Sequence, residues 1–233
     1  MAENNRSSGT WDSKECVLIL IDYQPGVMSF VQSHDIKASE LNARYLTKAA
    51  LAFDIPIILS TVGVQMGVNQ PTIASLRDEM PDVPEIDRSS MDSWADRGFV
   101  DAVKKTGRKR LVMAGIVTEV CLAYPVVNAL KDGYEVCFVT DASGGNTKES
   151  HDMAVLRMIQ AGAVPQTTVA MLTEWFRDWA SPLAPKAREV IVPFLKDTAI
   201  VQDIYPRLET GKAADAQAAE ARAAKHQPVG PKR

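Results

Sequence analysis

Six consecutive residues, Cys16-Val-Leu-Ile-Leu-Ile21, are all apolar, and Asp22 ends the run abruptly. An uninterrupted run this short, with no polar alternation, describes a strand covered on both faces, as in the centre of a parallel sheet. Similar runs recur at Ile55–Ser60, Arg110–Ile116, Glu135–Thr140 and Ala163–Ala170. Between or beside them, Leu41–Phe53, Phe99–Thr106, Glu119–Asp132 and Ser150–Ala161 carry helical patterns. Strands alternating with helices predict a doubly wound α/β fold, a three-layer αβα sandwich around a mainly parallel sheet.

The repeated pattern places one domain over residues 13–180, after a flexible N-terminus at 1–12. In the extension at 181–208, Pro182, Pro185, Pro193 and Pro206 are expected to break any long regular element. Eight of the twelve residues from Ala213 to Ala224 are alanine, so 209–233 reads as a frayed or disordered tail with little bulk to bury. A net charge of -3 offers no basic footprint for nucleic acid. The polar, acid-containing N-terminus lacks the apolar core of a secretory signal, and no apolar stretch reaches membrane-spanning length. Three unevenly spaced cysteines, Cys16, Cys121 and Cys137, form neither a disulfide framework nor a zinc ribbon, and the expected compartment is the reducing cytoplasm.

Ligands of open α/β sheets bind beyond the carboxyl ends of the strands, so the residues after each strand are the first candidates. Asp22 is one, although a carboxylate there also serves as a cap or turn former. Cys121 is another. Gly115-Ile-Val-Thr-Glu-Val-Cys121 runs from a strand through a glycine turn into a helix, with Thr118 expected as its N-cap. In a first helical turn, the dipole and the free amides favour a thiolate and can receive a developing oxyanion. No glycine-rich phosphate motif follows any strand, so neither a dinucleotide nor a nucleoside triphosphate is expected. His34 and His151 read as surface or helix-terminal residues, and His226 falls in the tail. Cys16 and Cys137, inside apolar runs, read as inert packing thiols.

Leu20-Ile-Asp22-Tyr-Gln24, the segment from Gly115 to Cys121 and Val139-Thr-Asp141-Ala142 together resemble the isochorismatase-like cysteine hydrolases, in their YcaC-related branch. Pro84-Glu-Ile-Asp-Arg88, Trp94, Cys121-Leu-Ala-Tyr-Pro125 and Arg157-Met-Ile-Gln-Ala-Gly162 extend the resemblance over about residues 14–180. The resemblance implies a Rossmann-like sheet, a catalytic triad of Asp22, Arg88 and Cys121, and a cis peptide between Ile116 and Val117. It also implies an oxyanion hole from the Val117 and Cys121 amides. Most of the family carries lysine where Arg88 stands, and Arg88 also reads as a salt-bridged loop residue. Arginine cannot shuttle a proton, but its charge can hold Asp22 ionised.

Gln24, Phe30, Trp94, Thr118 and Tyr124 are candidate pocket residues, and each reads equally well as core or subunit interface. Asp141 is expected to shape a loop. The resemblance implies no metal and no cofactor, because the histidines needed for the nicotinamidase metal site are missing. It implies a small amide-like substrate hydrolysed through a Cys121 thioester, and a homo-oligomer, with an octamer of stacked rings as the suggested form. The alternative is a weak or inactive member that serves as a small-molecule-binding or assembly protein.

Overall fold

The computed structural model describes residues 9–198. Six strands, β1 (Cys16–Ile21), β2 (Ile57–Val62), β3 (Glu85–Arg88), β4 (Arg110–Gly115), β5 (Glu135–Val139) and β6 (Val164–Gln166), form one sheet in the order β3-β2-β1-β4-β5-β6. Every pairing is parallel. Strand order reverses between β1 and β4, so a crevice opens at their carboxyl ends, where Asp22 and the 116–122 turn emerge.

Side chains alternate across this sheet. Val17, Ile19, Ile21, Leu111, Met113, Val136 and Phe138 form the core with helices α4 (Arg97–Lys105), α5 (Ala123–Lys131) and α6 (Lys148–Ala161). On the opposite side, α2 (Ile36–Ala52) packs against β1 and against α7 (Thr168–Phe176). Two short helices, α1 (Pro25–Met28) and α3 (Ala74–Arg77), lie in the loops after β1 and β2. The helices begin at local caps: Asp35 accepts from Lys37 N, Asp96 from Phe99 N and Thr147 from Ser150 N. Gly162, at φ 108°, closes α6 in the left-handed conformation that glycine adopts without steric cost.

The three-layer parallel α/β architecture is the expected one, with local corrections. β3 is too short and polar, at Glu-Ile-Asp-Arg, to read as a strand. The run Ala163–Ala170 divides into β6 and the start of α7, because Asp141 Oδ1 accepts from both Thr168 N and Thr168 Oγ1 and fixes the helix start there. Asp141 thus shapes the loop by capping a helix.

Helix α8 (Ala184–Asp197) runs through Pro193, against the expectation that prolines prevent a long element in this region. Pro185 lies in its first turn, where the missing N–H costs nothing. Contacts divide the chain after Val190: residues up to there form one compact unit, and from Ile191 onward only 191–198, the end of α8, is described. The first eight residues of the expected flexible N-terminus, Pro206, the alanine-rich tail and His226 lie outside the described residues. Among the described residues, no helix is long and apolar enough to cross a membrane.

The switch point depends on one close approach. A Cβ on Gly115 would stand 2.9 Å from Ile21 Cβ and 3.1 Å from Ile21 O, and a strand carbonyl cannot retreat without breaking its ladder. Gly115→Ala is expected to destabilise the fold by about 1–3 kcal/mol through overpacking, measured by urea denaturation.

Candidate active site

β1 ends in Asp22, which takes φ 60°, a left-handed conformation that aspartate tolerates better than most residues. The turn swings its carboxylate into the switch-point crevice, where it is 0% exposed. From β3, two strands away, Arg88 reaches across β2 and meets it in a two-pronged contact: Nη1 to Oδ1 at 2.7 Å and Nη2 to Oδ2 at 2.8 Å. Arg88 Nη1 also donates to Ser60 Oγ at 3.1 Å and Thr61 O at 3.0 Å, and Nη2 to Met91 O at 3.5 Å. Both side chains are wholly withdrawn from solvent. Burial opposes the guanidinium charge, but the bound Asp22 carboxylate outweighs it and leaves the Arg88 pKa raised. Arg88 is therefore salt-bridged, as the alternative reading had it, but from the end of strand β3 and not from a loop.

Cys121 lies on the third side. It belongs to a π-helical turn, Thr118–Leu122, that leads into α5, so the single helix expected over Glu119–Asp132 opens irregularly. The thiol lies beside the Asp22 carboxylate and the Val117 N–H. The Ile116–Val117 peptide is cis. Burial, followed by the charge and hydrogen bond of Asp22, pushes the Cys121 pKa well up, and Arg88 and the Val117 amide offset only part of this. The resting sulfur is consequently a thiol, contrary to the thiolate expected from helix position and a nearby cation. Burial decides the sign, and Asp22 reinforces it against Arg88. Cys16 and Cys137 are buried in β1 and β5, and burial raises both of their pKa values, that of Cys16 to about 12.

The other candidates are placed less uniformly. Gln24 is buried beside the site, but its amide is committed: Nε2 donates to Val62 O and Gln70 O, and Oε1 accepts from Val62 N. It clamps the loop after β2. Thr118 is not the N-cap, a position held by Val117; its hydroxyl pairs with His151 Nδ1 at 2.9 Å. Trp94 packs edge-on against Phe99 and Tyr134 in the same core cluster as Cys121, with its indole N–H donating to Asp132. Tyr124 is half-buried beneath the Arg157 guanidinium. Phe30 is 57% exposed and lies outside the buried core.

His34 and His151 stand at the starts of α2 and α6, the helix-terminal placement expected, but are half-buried, and their rings meet edge-to-face at 5.2 Å. Among the described residues, no group of three or more His, Cys, Asp or Glu side chains is arranged to hold a metal ion. Sequence reasoning missed Ser60, Thr61 and Met91 as anchors of Arg88. Ser60, ending an apolar run at the same edge as Asp22, was the available signal; the backbone carbonyls carried none.

Known proteins share this architecture. A model of the isochorismatase domain matches residues 16–170. The Escherichia coli protein "Probable hydrolase YcaC" is 36% identical over 173 residues, covering 74% of this chain and 83% of that protein. Its crystal structure, described as an octameric hydrolase of unknown specificity, superposes with TM-score 0.77 at 33% identity, over 86% of this chain and 97% of that one. YcaC from Pseudomonas aeruginosa, solved with hexane-2,5-diol and covalent acrylamide, gives TM-score 0.75 at 32% identity, covering 89% and 98%.

Two outcomes follow from the site's electrostatics. Arg88→Met strands a buried carboxylate and is expected to cost about 3–5 kcal/mol in urea denaturation. Because the Cys121 pKa lies above 9.0, its alkylation by iodoacetamide should climb about tenfold per pH unit from roughly pH 6 to 9, with no plateau, followed by peptide mass spectrometry.

Proposed function

Since the chain belongs to the isochorismatase family and aligns with its YcaC-related hydrolases over most of its length, we propose that it is a metal-independent cysteine hydrolase of small amides or related C–N bonds. The observation that carries this reading is the Cys121 thiol beside a buried Asp22 carboxylate that Arg88 grips through both oxygens.

As Sγ bonds to the substrate carbonyl carbon, its proton passes to Asp22. The carbonyl oxygen becomes an oxyanion, which in this reading the Val117 and Cys121 amides receive at the irregular opening of the helix. Protonated Asp22 then gives its proton to the leaving nitrogen, the C–N bond breaks, and ammonia or an amine departs. Water attacks the resulting thioester as Asp22 takes one of its protons. Collapse releases the carboxylic acid, and Asp22 returns the proton to sulfur. Arg88 takes no part in proton transfer because its guanidinium stays charged throughout. Its role is to orient Asp22 through both carboxylate oxygens and to balance its charge.

A thiol suits acyl transfer, and the covalent acrylamide in the Pseudomonas relative is a small neutral amide. By analogy with octameric E. coli YcaC, the chain assembles as a homo-oligomer. A second reading, a weak or inactive member acting in binding or assembly, is favoured by one observation: burial and Asp22 hold the thiol proton firmly.

The two readings separate in an ammonia-release assay on a panel of small amides. Cys121→Ala should abolish turnover and Asp22→Asn should lower kcat by about 10²–10⁴-fold, with Cys16→Ala unchanged. Turnover surviving in Cys121→Ala would sink the covalent mechanism; no turnover by the native protein on any amide would favour the second reading.

A further inference from the structure

Resting on that hydrolase reading, we infer that the site selects by charge: it takes electrically neutral amides with an aliphatic chain and rejects those bearing a carboxylate near the scissile bond. The reason is that, among the described residues, the charges that act on Cys121 are already spent on one another. Asp22 and Arg88 are the charged groups that act on the thiol, and they neutralise one another in a paired contact with no solvent exposure. The guanidinium terminal nitrogens are committed to Asp22, Ser60, Thr61 and Met91, which leaves only the buried Nε–H without a partner.

Asp92, the next carboxylate acting on Arg88, accepts from Trp94 N through Oδ1 and from Asn128 through Oδ2. The Gln24 amide is bound at both ends. A carboxylate entering this crevice would lose its hydration and meet no uncommitted cation, whereas a neutral amide loses little.

The loops at this edge supply the second half of the inference. Phe30, Met66, Val68 and Met91 are 57%, 66%, 69% and 57% exposed. They stand on the loops that leave the carboxyl ends of β1, β2 and β3. Those loops are tied together at this edge: Gly63 N donates to Arg88 O, Met91 O accepts from Arg88, and a Cβ on Gly26 would lie 3.1 Å from Asn69 Oδ1. An apolar rim above a charge-balanced floor fits a short hydrocarbon chain.

The test compares alkylation of Cys121 in the full-length protein by neutral iodoacetamide and anionic iodoacetate near pH 9, each normalised to 2-mercaptoethanol. Iodoacetamide should be favoured about tenfold or more, the cost of an unpaired anion in a closed site. Equal or faster labelling by iodoacetate would overturn charge selection, whatever the hydrolysis assay gives. Labelling by neither reagent would overturn it together with the hydrolase reading. The expected preference without turnover of any amide would leave selection standing and remove the hydrolase reading alone.

In turnover, hexanamide should exceed the carboxylate-bearing adipamate in kcat/KM, and activity should grow by up to about fourfold per methylene along the linear amides. A flat series, or one unchanged in Met66→Ser/Val68→Ser, would overturn the apolar rim.

Discussion

The paired contact between Asp22 and Arg88 is the constraint on which the rest of the site depends. Two opposite charges wholly removed from water persist only when their geometry is good and their remaining hydrogen-bonding groups are met. Here both carboxylate oxygens are bound, and Ser60 and the Thr61 carbonyl satisfy more of the guanidinium. Because Asp22 leaves β1 and Arg88 sits in β3, the pair also spans β2 and ties three carboxyl-terminal strand ends together. One interaction thus holds the sheet edge in register and defines the electrostatics of the crevice.

That electrostatics gives Cys121 a different starting point from a thiolate–imidazolium pair. The group that stands beside the thiol is a carboxylate, and its charge opposes ionisation. In the proposed hydrolysis the proton stays on sulfur until a carbon centre accepts the electron pair. In the proposed mechanism activation is therefore coupled to bond formation, with Asp22 as the single acid–base group and Arg88 as a fixed counter-charge. Arginine at this position cannot carry a proton, and its planar fork matches both carboxylate oxygens.

Much of the framework was legible because it follows from local periodicity. The run Cys16–Ile21 declares a doubly covered strand, and Asp22 after it declares an end where ligands gather. Resemblance in the Gly115–Cys121 segment pointed to the cysteine turn. The misreadings share one cause, namely a tertiary partner. Glu85–Arg88 pairs with β2 although its composition is polar, Thr168 starts a helix because Asp141 caps it, and Thr118 turns to His151 instead of capping. Gln24, singled out for its polarity, spends that polarity on Val62 and Gln70.

Amino-acid order alone determined the alternation of strands and helices, and with it the layers, the parallel sheet and the edge at which Asp22 and Cys121 emerge, since burial and backbone hydrogen bonding act on residues near in sequence. Only the folded chain decided which groups answer one another across 66 residues between Asp22 and Arg88, and which form of the sulfur is stable. Ionisation depends on desolvation and on charges brought close through space, neither of which is written in the neighbours of Cys121.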